Sequence, residues 1–311
     1  MIDLVATEPH YAAHLLPVAE ALGSDLGTFH LPGPKVAALV DYPNRSTNIP
    51  DRHTARPLLA ADYGTIQQHR YRPVVLAEHG AGQQYRAPNP AYAGGLNRDH
   101  VALFLCPNDR VAAANRRTYP GTPSVTVGVP LLDAHAYRVR TGSTVVLTWH
   151  WDNTMWPESR SAFDHYKGGL GDVVGELRAD GWTVLGHAHP RAWAKAPSVG
   201  GWYEAWGVEP VFEFGEVLRR ADVLVCDQSS AAFLSAAVGV RQVVLDAPWY
   251  AGGYAAGLFP RFSVPLGVRV SGPGGVRAAV GGAWCPDVSE VVPWVGGCGG
   301  RAAAAIRAVF A

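Results

Sequence analysis

Apolar and polar positions alternate between two rhythms along this chain. Runs such as "PVVLAEHG" (73 to 80), "HVALFLCPN" (100 to 108) and "SVTVGVP" (124 to 130) are almost continuously apolar and rich in Val and Leu, which predicts strands buried on both faces. Between such runs the spacing becomes helical. "EPHYAAHLLPVAEALG" (8 to 23) carries apolar residues at helical intervals until Gly23 closes it, and "DRVAAANRR" (109 to 117) predicts a helix between two strands. "IDLVAT" (2 to 7) and "LGTFHL" (26 to 31) add two further strands. Strands alternating with helices predict a parallel sheet covered on both faces.

The rhythm breaks at "LLDAHAYRVRTGS" (131 to 143) and then resumes. "TVVLTWHWD", "SAFDHYKGGLGDVVGELRADG", "WTVLGHAHP", "FGEVLRRA", "DVLVCDQSS", "AAFLSAAVGV" and "QVVLDAP" repeat the alternation to about residue 248, so a second α/β unit is expected. The tail is richer in Gly and Pro, but "GRAAAAIRAVF" (300 to 310) is Ala-rich enough to close the chain as a helix. A length of 311 residues suits two domains. Their expected limits are 1–135 and 140–311.

Composition narrows the function classes. Basic and acidic residues balance at 26 each, which disfavours nucleic-acid binding through phosphates. No apolar stretch reaches the roughly 18 residues of a membrane span, and the first residues lack the basic leader and apolar core of a signal peptide. A cytoplasmic protein with at most peripheral membrane contact is expected. Cys106, Cys226, Cys285 and Cys298 show no C-x-x-C pairing and read as reduced thiols.

Ligands of open parallel sheets bind at the carboxyl ends of the strands, so the polar residues just after each strand carry the candidate chemistry. After "VVLA" come Glu78, His79 and Gly80; the histidine can exchange protons near neutral pH, and the glycines of the loop let backbone N–H groups approach a ligand. Arg86, just beyond, could reach an anionic acceptor or donor phosphate. "WTVLGHAHPR" ends in His187, His189, Pro190 and Arg191, of which His189 and Arg191 suit a phosphate. The chain has no D-x-D and no third ligand near the H-x-H, so no metal is expected. "ADVLVCDQSSAAFLSAAVGV" (221 to 240) ends a buried strand at Asp227 and starts a helix at Ser229 and Ser230, where first-turn N–H groups could meet a diphosphate. His10 and His14 share one face of the first helix, with His14 a candidate on the acceptor side. Thr148 and Trp149 open the second unit in an aromatic stretch.

In their order these pieces resemble the CDP-glycerol glycerophosphotransferase family of wall teichoic acid synthesis, within the broader GT-B class. The matching segments are His79-Gly80, Gly128-Val129-Pro130-Leu131-Leu132-Asp133, Thr148-Trp149, His189-Pro190 and Asp227-Gln228-Ser229-Ser230. The resemblance implies a GT-B architecture, with two Rossmann-like parallel-sheet domains facing across a cleft, the first for the acceptor and the second for the nucleotide donor. It implies His79 as the base toward an acceptor hydroxyl, and His189, Arg191, Asp227, Ser229 and Ser230, with Thr148 and Trp149, around the donor diphosphate and nucleotide. Glu78 is either a rival base or the residue that orients His79. The family's Trp before His-Gly is Glu78 here, the aromatic after the strand-end acid is Gln228, and the acid after the next Phe is Leu234. These departures leave open whether the donor is CDP-glycerol or a nucleotide sugar, and whether the acceptor is a glycan, polymer or protein. A sugar-nucleotide epimerase and a non-catalytic nucleotide-binding protein are the alternatives. No cofactor is expected.

Overall fold

The computed structural model describes residues 1–39, 42–79, 81, 98–152, 160–193, 199–227, 229–251 and 265–310. Two compact units emerge, Met1–Ala136 with Ser289–Ala311, and Tyr137–Val288. Each is built on one parallel sheet.

The first unit contains β1 (Ile2–Val5), α1 (Pro9–Leu22), β2 (Leu26–His30), α2 (Pro34–Leu39), β3 (Arg45–Ser46), β4 (Leu58–Ala60), α3 (Tyr63–Gln68), β5 (Val74–Ala77), β6 (Val101–Cys106), α4 (Asp109–Thr118) and β7 (Ser124–Thr126). Strand order is β3-β2-β1-β4-β5-β6-β7 with every pair parallel. The order reverses between β1 and β4, which makes that junction the topological switch point where open α/β sheets open a crevice. β4 is central yet escaped the sequence reading, because three residues between a Pro- and Arg-rich stretch and Asp62 are too few to show a period.

Alternation along β5 sorts the core. Val75 and Ala77 pack on the α1 side with Leu15, Val18 and Ala19. Val74 and Leu76 pack on the opposite side with Ile66, Val111 and Ala112.

The last helix, Cys298–Phe310, belongs to this first unit, although the sequence reading assigned residues up to 311 to the second. Its Ala302, Ala303 and Ile306 join the α1 side of the core. An Ala-rich stripe announces a helix but not its destination. The Gly-x-Pro-x-x-Asp segment supplies the destination. Gly128 has φ +84°, and a Cβ there would lie 2.6 Å from Cys298 Sγ. Asp133 then accepts from the N–H groups of Cys298 and Gly299, both at 2.7 Å, and so caps the helix. A Cβ on Gly299 would fall 2.3 Å from the Pro17 carbonyl oxygen, so the two helix backbones meet at a residue without a side chain. Asp133→Ala is expected to cost about 1–2 kcal/mol, the usual worth of a lost N-cap. Chemical denaturation would read that loss, and a variant as stable as wild type would contradict the capping role.

The second unit contains β8 (Thr144–Trp149), α5 (Phe163–Ala179), β9 (Thr183–Ala188), α6 (Pro190–Trp193), α7 (Val199–Ala205), β10 (Glu209–Pro210), α8 (Phe214–Arg220), β11 (Val223–Cys226), α9 (Ala231–Ala237), β12 (Arg241–Leu245) and β13 (Val268–Val270). Its order, β10-β9-β8-β11-β12-β13, is again wholly parallel and reverses between β8 and β11. Val145, Leu147 and Trp149 of β8 pack with Tyr166, Leu170 and Val174 of α5 at the centre of this unit's core. Among the described residues no helix is long and apolar enough to cross a membrane.

Buried histidines make stability depend on pH, His69 and His187 among them. His69 is pushed down to about 4 by burial and by nearby Arg72 and Arg52, and His187 is pushed down to about 4 by burial. Both stay neutral in the fold, while the unfolded chain takes up protons below the ordinary 6.5. The unfolded state therefore binds more protons throughout that window. Stability is full above pH 6.5 and falls on acidification toward pH 4, by about 1.4 kcal/mol per pH unit for each ring. Denaturant midpoints at pH 7.5 and 5 would show this. Equal stability at both would contradict it.

Candidate functional site

Two clusters of polar side chains sit at the carboxyl ends of strands, one in each unit. In the first unit, the period-2 alternation of β5 continues past its end and sends Glu78 and His79 to opposite faces of the sheet. His79 lies on the α1 face. Its ring meets Tyr11 edge-on at 5.0 Å between centroids, with His14 at 6.1 Å and His10 at 6.2 Å. All three partners come from α1, which follows β1, so the cluster lies beside the β1/β4 switch point.

Burial pushes the His79 pKa down, against the opposing pull of Glu78, a hydrogen bond to the backbone of Ala61 and the charge of Asp62. Because that bond favours the charged ring, the backbone group must be an acceptor. One ring nitrogen is then a donor, and the other keeps its lone pair. His14 is pushed down to about 3 by burial and by the neighbouring His79 and His10 rings. Near neutral pH both of these buried imidazoles, His14 and His79, are uncharged.

Glu78 turns the other way. Its side chain is 6% exposed, and Oε1 accepts from Arg98 Nη1 at 2.5 Å and from Asn115 Nδ2 at 3.1 Å. A carboxylate occupied in this way, on the face away from the His79 imidazole, is not placed to compete with it for a substrate proton. The two residues that the sequence left as rivals thus face different surroundings, Glu78 an arginine and an asparagine, His79 the rings of α1. Gly80 and Arg86 lie outside the described residues.

In the second unit, the loops after β8 and β11 meet at the switch point through Asp227. This carboxylate is fully buried and accepts from His150 N–H at 2.7 Å, Ser161 Oγ at 2.7 Å and Ala162 N–H at 3.0 Å. It therefore ties the segment leaving β8 to the start of α5. The sequence reading placed Asp227 among donor-binding residues; its buried carboxylate acts instead on the loops that carry the others. Thr148 and Trp149 are likewise turned into the fold. Thr148 Oγ1 pairs with His187 Nδ1 at 2.6 Å inside the fold. Trp149 is 1% exposed and packs edge-on against Phe163 at 5.2 Å.

The surface of this cluster is formed by the residues that follow. His150 and His189 rings lie 5.7 Å apart, Trp151 is 6.1 Å from His189, and the Arg191 guanidinium lies 4.9 Å over the Trp151 ring. His189 Nδ1 accepts from the Arg191 N–H at 3.2 Å, which assigns the proton of the neutral ring to Nε2. An imidazole N–H donor beside an arginine fork is of the chemistry that suits an anionic oxygen. Ser229 Oγ accepts from Ala231 N–H at 3.2 Å, and Ser230 immediately precedes α9. Gln228 lies outside the described residues. The sequence reading missed Arg98, Asn115, Ser161 and Trp151. Arg98 and Ser161 sit in irregular segments without a motif, and only the aromatic density of 148–156 pointed toward Trp151.

Among the described residues no three His, Cys, Asp or Glu side chains are grouped to hold a metal ion.

No family model and no curated protein sequence matches the chain. Solved structures do. A protein described as a UDP-N-acetylglucosamine 2-epimerase from Listeria monocytogenes aligns with a TM-score of 0.57 at 14% identity, over 99% of this chain and 96% of that one. A UDP-GlcNAc 2-epimerase from Methanocaldococcus jannaschii gives 0.59 at 12% identity, over 99% of both chains. The wall teichoic acid polymerase TagF gives 0.59 at 13% identity, over 99% of this chain and 83% of that one. At such identities the likeness speaks for architecture. Together with two wholly parallel sheets, each reversing order at its first strand, it establishes that this chain has the GT-B fold, two Rossmann-like α/β units in one polypeptide.

Proposed function

We propose that the chain is a GT-B-type transferase that moves a glycerophosphate, or a glycosyl group, from a nucleotide-diphosphate donor to an acceptor hydroxyl. The observation that carries this reading is His79, an imidazole kept neutral by burial at the carboxyl end of a parallel strand and oriented by a hydrogen bond to the backbone of Ala61. Such a ring is a general base at neutral pH. His79 takes the hydroxyl proton as the acceptor oxygen attacks the donor.

For a glycerophosphate donor the attack falls on the β-phosphorus. The bond to the bridging oxygen breaks, and a nucleoside monophosphate leaves. For a nucleotide sugar it falls on the anomeric carbon, and a nucleoside diphosphate leaves. In either case negative charge grows on the leaving phosphate, and His189 Nε2–H, Arg191 and the Ser229–Ser230 turn are the groups assigned to it. Their cationic and N–H donors supply the neutralisation a divalent ion provides elsewhere, so activity is expected to survive EDTA.

A second reading, a sugar-nucleotide epimerase, is favoured by one observation. The chain spans 96% and 99% of the two epimerase structures but 83% of the polymerase. Product analysis separates the readings. Release of nucleoside monophosphate or diphosphate that requires an acceptor, with EDTA present, supports the transferase. Conversion of a nucleotide sugar with no acceptor supports the epimerase, and loss of activity in EDTA restored only by a divalent ion overturns the metal-free step.

A further inference from the structure

Glu78 and His79 are consecutive residues on opposite faces of one strand end, so whatever fixes Glu78 also fixes the peptide from which the His79 imidazole projects. The fixing is extensive. The Glu78 N–H donates to the Leu105 carbonyl at 2.9 Å, which keeps this peptide in register with β6 beyond the end of β5. The Glu78 carboxylate holds Arg98 and Asn115, and both of those side chains are buried. The Arg98 guanidinium lies 4.0 Å over the Tyr63 ring of α3, and Asn115 belongs to α4. Two separate segments thus converge on one carboxylate, and a third, α3, packs on the arginine that holds it.

A buried ion pair is a poor source of net stability, because desolvating two charges offsets most of their attraction. Positional specificity is the better account of it. We propose that the Glu78–Arg98 pair, clamped by Asn115 and Tyr63, is the positioning device of His79: it locks the 78–79 peptide and sets the charge beneath the imidazole. This rests on the reading of His79 as the base. Glu78 and Arg98 are positioning residues and touch no substrate.

The pair acts on His79 with opposite signs. Burial is the largest influence on the ring and lowers its pKa; the Glu78 carboxylate comes next and favours the imidazolium, while the Arg98 guanidinium disfavours it more weakly. Among the described residues, the other groups found around the ring include His10, Tyr11 and His14 from α1, and Ala61 and Asp62 after β4.

The test is an NMR titration of the full chain with 15N-labelled histidine, the His79 signals being assigned by their absence in His79→Gln. Glu78→Gln keeps an acceptor oxygen for Arg98 and Asn115 but removes the charge. The expected result is a titration midpoint moved toward acid by about one pH unit, with Arg98 left uncompensated. A midpoint unchanged in this folded variant would overturn the proposal. Should Glu78→Gln not fold, the neutral double variant Glu78→Gln/Arg98→Met carries the test, since replacing both members of a buried pair is often tolerated. Its midpoint is expected to move toward acid by less than in Glu78→Gln, because the weaker opposing charge of Arg98 is removed as well, with the two ring-nitrogen shifts drawn toward the average of a ring exchanging tautomers. Shifts identical to wild type would overturn the locking role. Neither readout uses turnover, so the proposal and the base assignment fail separately: a moved midpoint together with undiminished turnover in His79→Ala would retire the base and leave the pair's action standing.

Discussion

Replacing His79 by alanine is expected to lower turnover by about 10²–10⁴-fold while donor affinity stays near the wild-type value. Ala61, Asp62, Glu78 and Arg98 all act on this imidazole, and its neutral form is the one a base needs. The donor is assigned to groups in the other unit, so its binding does not depend on this ring. The pH dependence follows from the same placement. With the His79 pKa below its ordinary value, kcat/KM should be level from pH 8 to about 6.5 and fall only at more acid pH. Steady-state kinetics with calorimetry of donor binding would check both parts. A His79→Ala enzyme that transfers at the wild-type rate would remove the base from the mechanism.

Asp227→Ala is expected to produce the largest loss of stability. The substitution strips the acceptor from three donors, the N–H groups of His150 and Ala162 and the Ser161 hydroxyl, at a fully buried site. Leaving a buried donor unsatisfied costs about 1–3 kcal/mol, so about 3 kcal/mol or more is expected in total. Function should suffer along with stability, because His150 is fixed through its backbone to Asp227 and lies against His189. Asp227→Asn keeps one carbonyl oxygen but turns an amide toward donors, and should fall between alanine and wild type. Denaturant unfolding would decide: a loss below about 1 kcal/mol for Asp227→Ala would mean that the loops are held by something else.

Much of the architecture was legible because parallel strands buried on both faces leave continuous apolar runs. β5, β6, β8, β9, β11 and β12 all fall inside such runs. The weak places have physical causes. β4 is three residues long, and β3 and β10 are two residues each, lengths at which no period can be read. The membership of Cys298–Phe310 depends on Asp133, 165 residues before Cys298 in the chain, and a contact of that separation leaves no local trace.

The candidate site was legible as a set of strand-end residues, and less so in the direction each side chain takes. His79 lies in a cluster of histidine rings, and His189 and Arg191 lie together beside Trp151. Asp227, Thr148 and Trp149 share the same strand ends but point inward, where burial and hydrogen bonding decide their role. Glu78 and His79 show how narrow the distinction is, since one residue of register separates a buried counter-ion from a candidate base.

The central claim is that a nucleotide-diphosphate donor binds this fold, and a thermal-shift screen tests it most directly. The panel is CDP-glycerol, CDP-ribitol and the common UDP-, GDP-, dTDP- and CDP-sugars. A donor at about 100 times its dissociation constant adds about 2.7 kcal/mol to stability, readily visible as a rise in Tm. The account predicts a selective rise with one donor class that is lost in His189→Ala: CDP-glycerol or CDP-ribitol would mark a polyol-phosphate transferase, a nucleotide sugar a glycosyltransferase or epimerase. A protein whose Tm moves with none of these donors would contradict it.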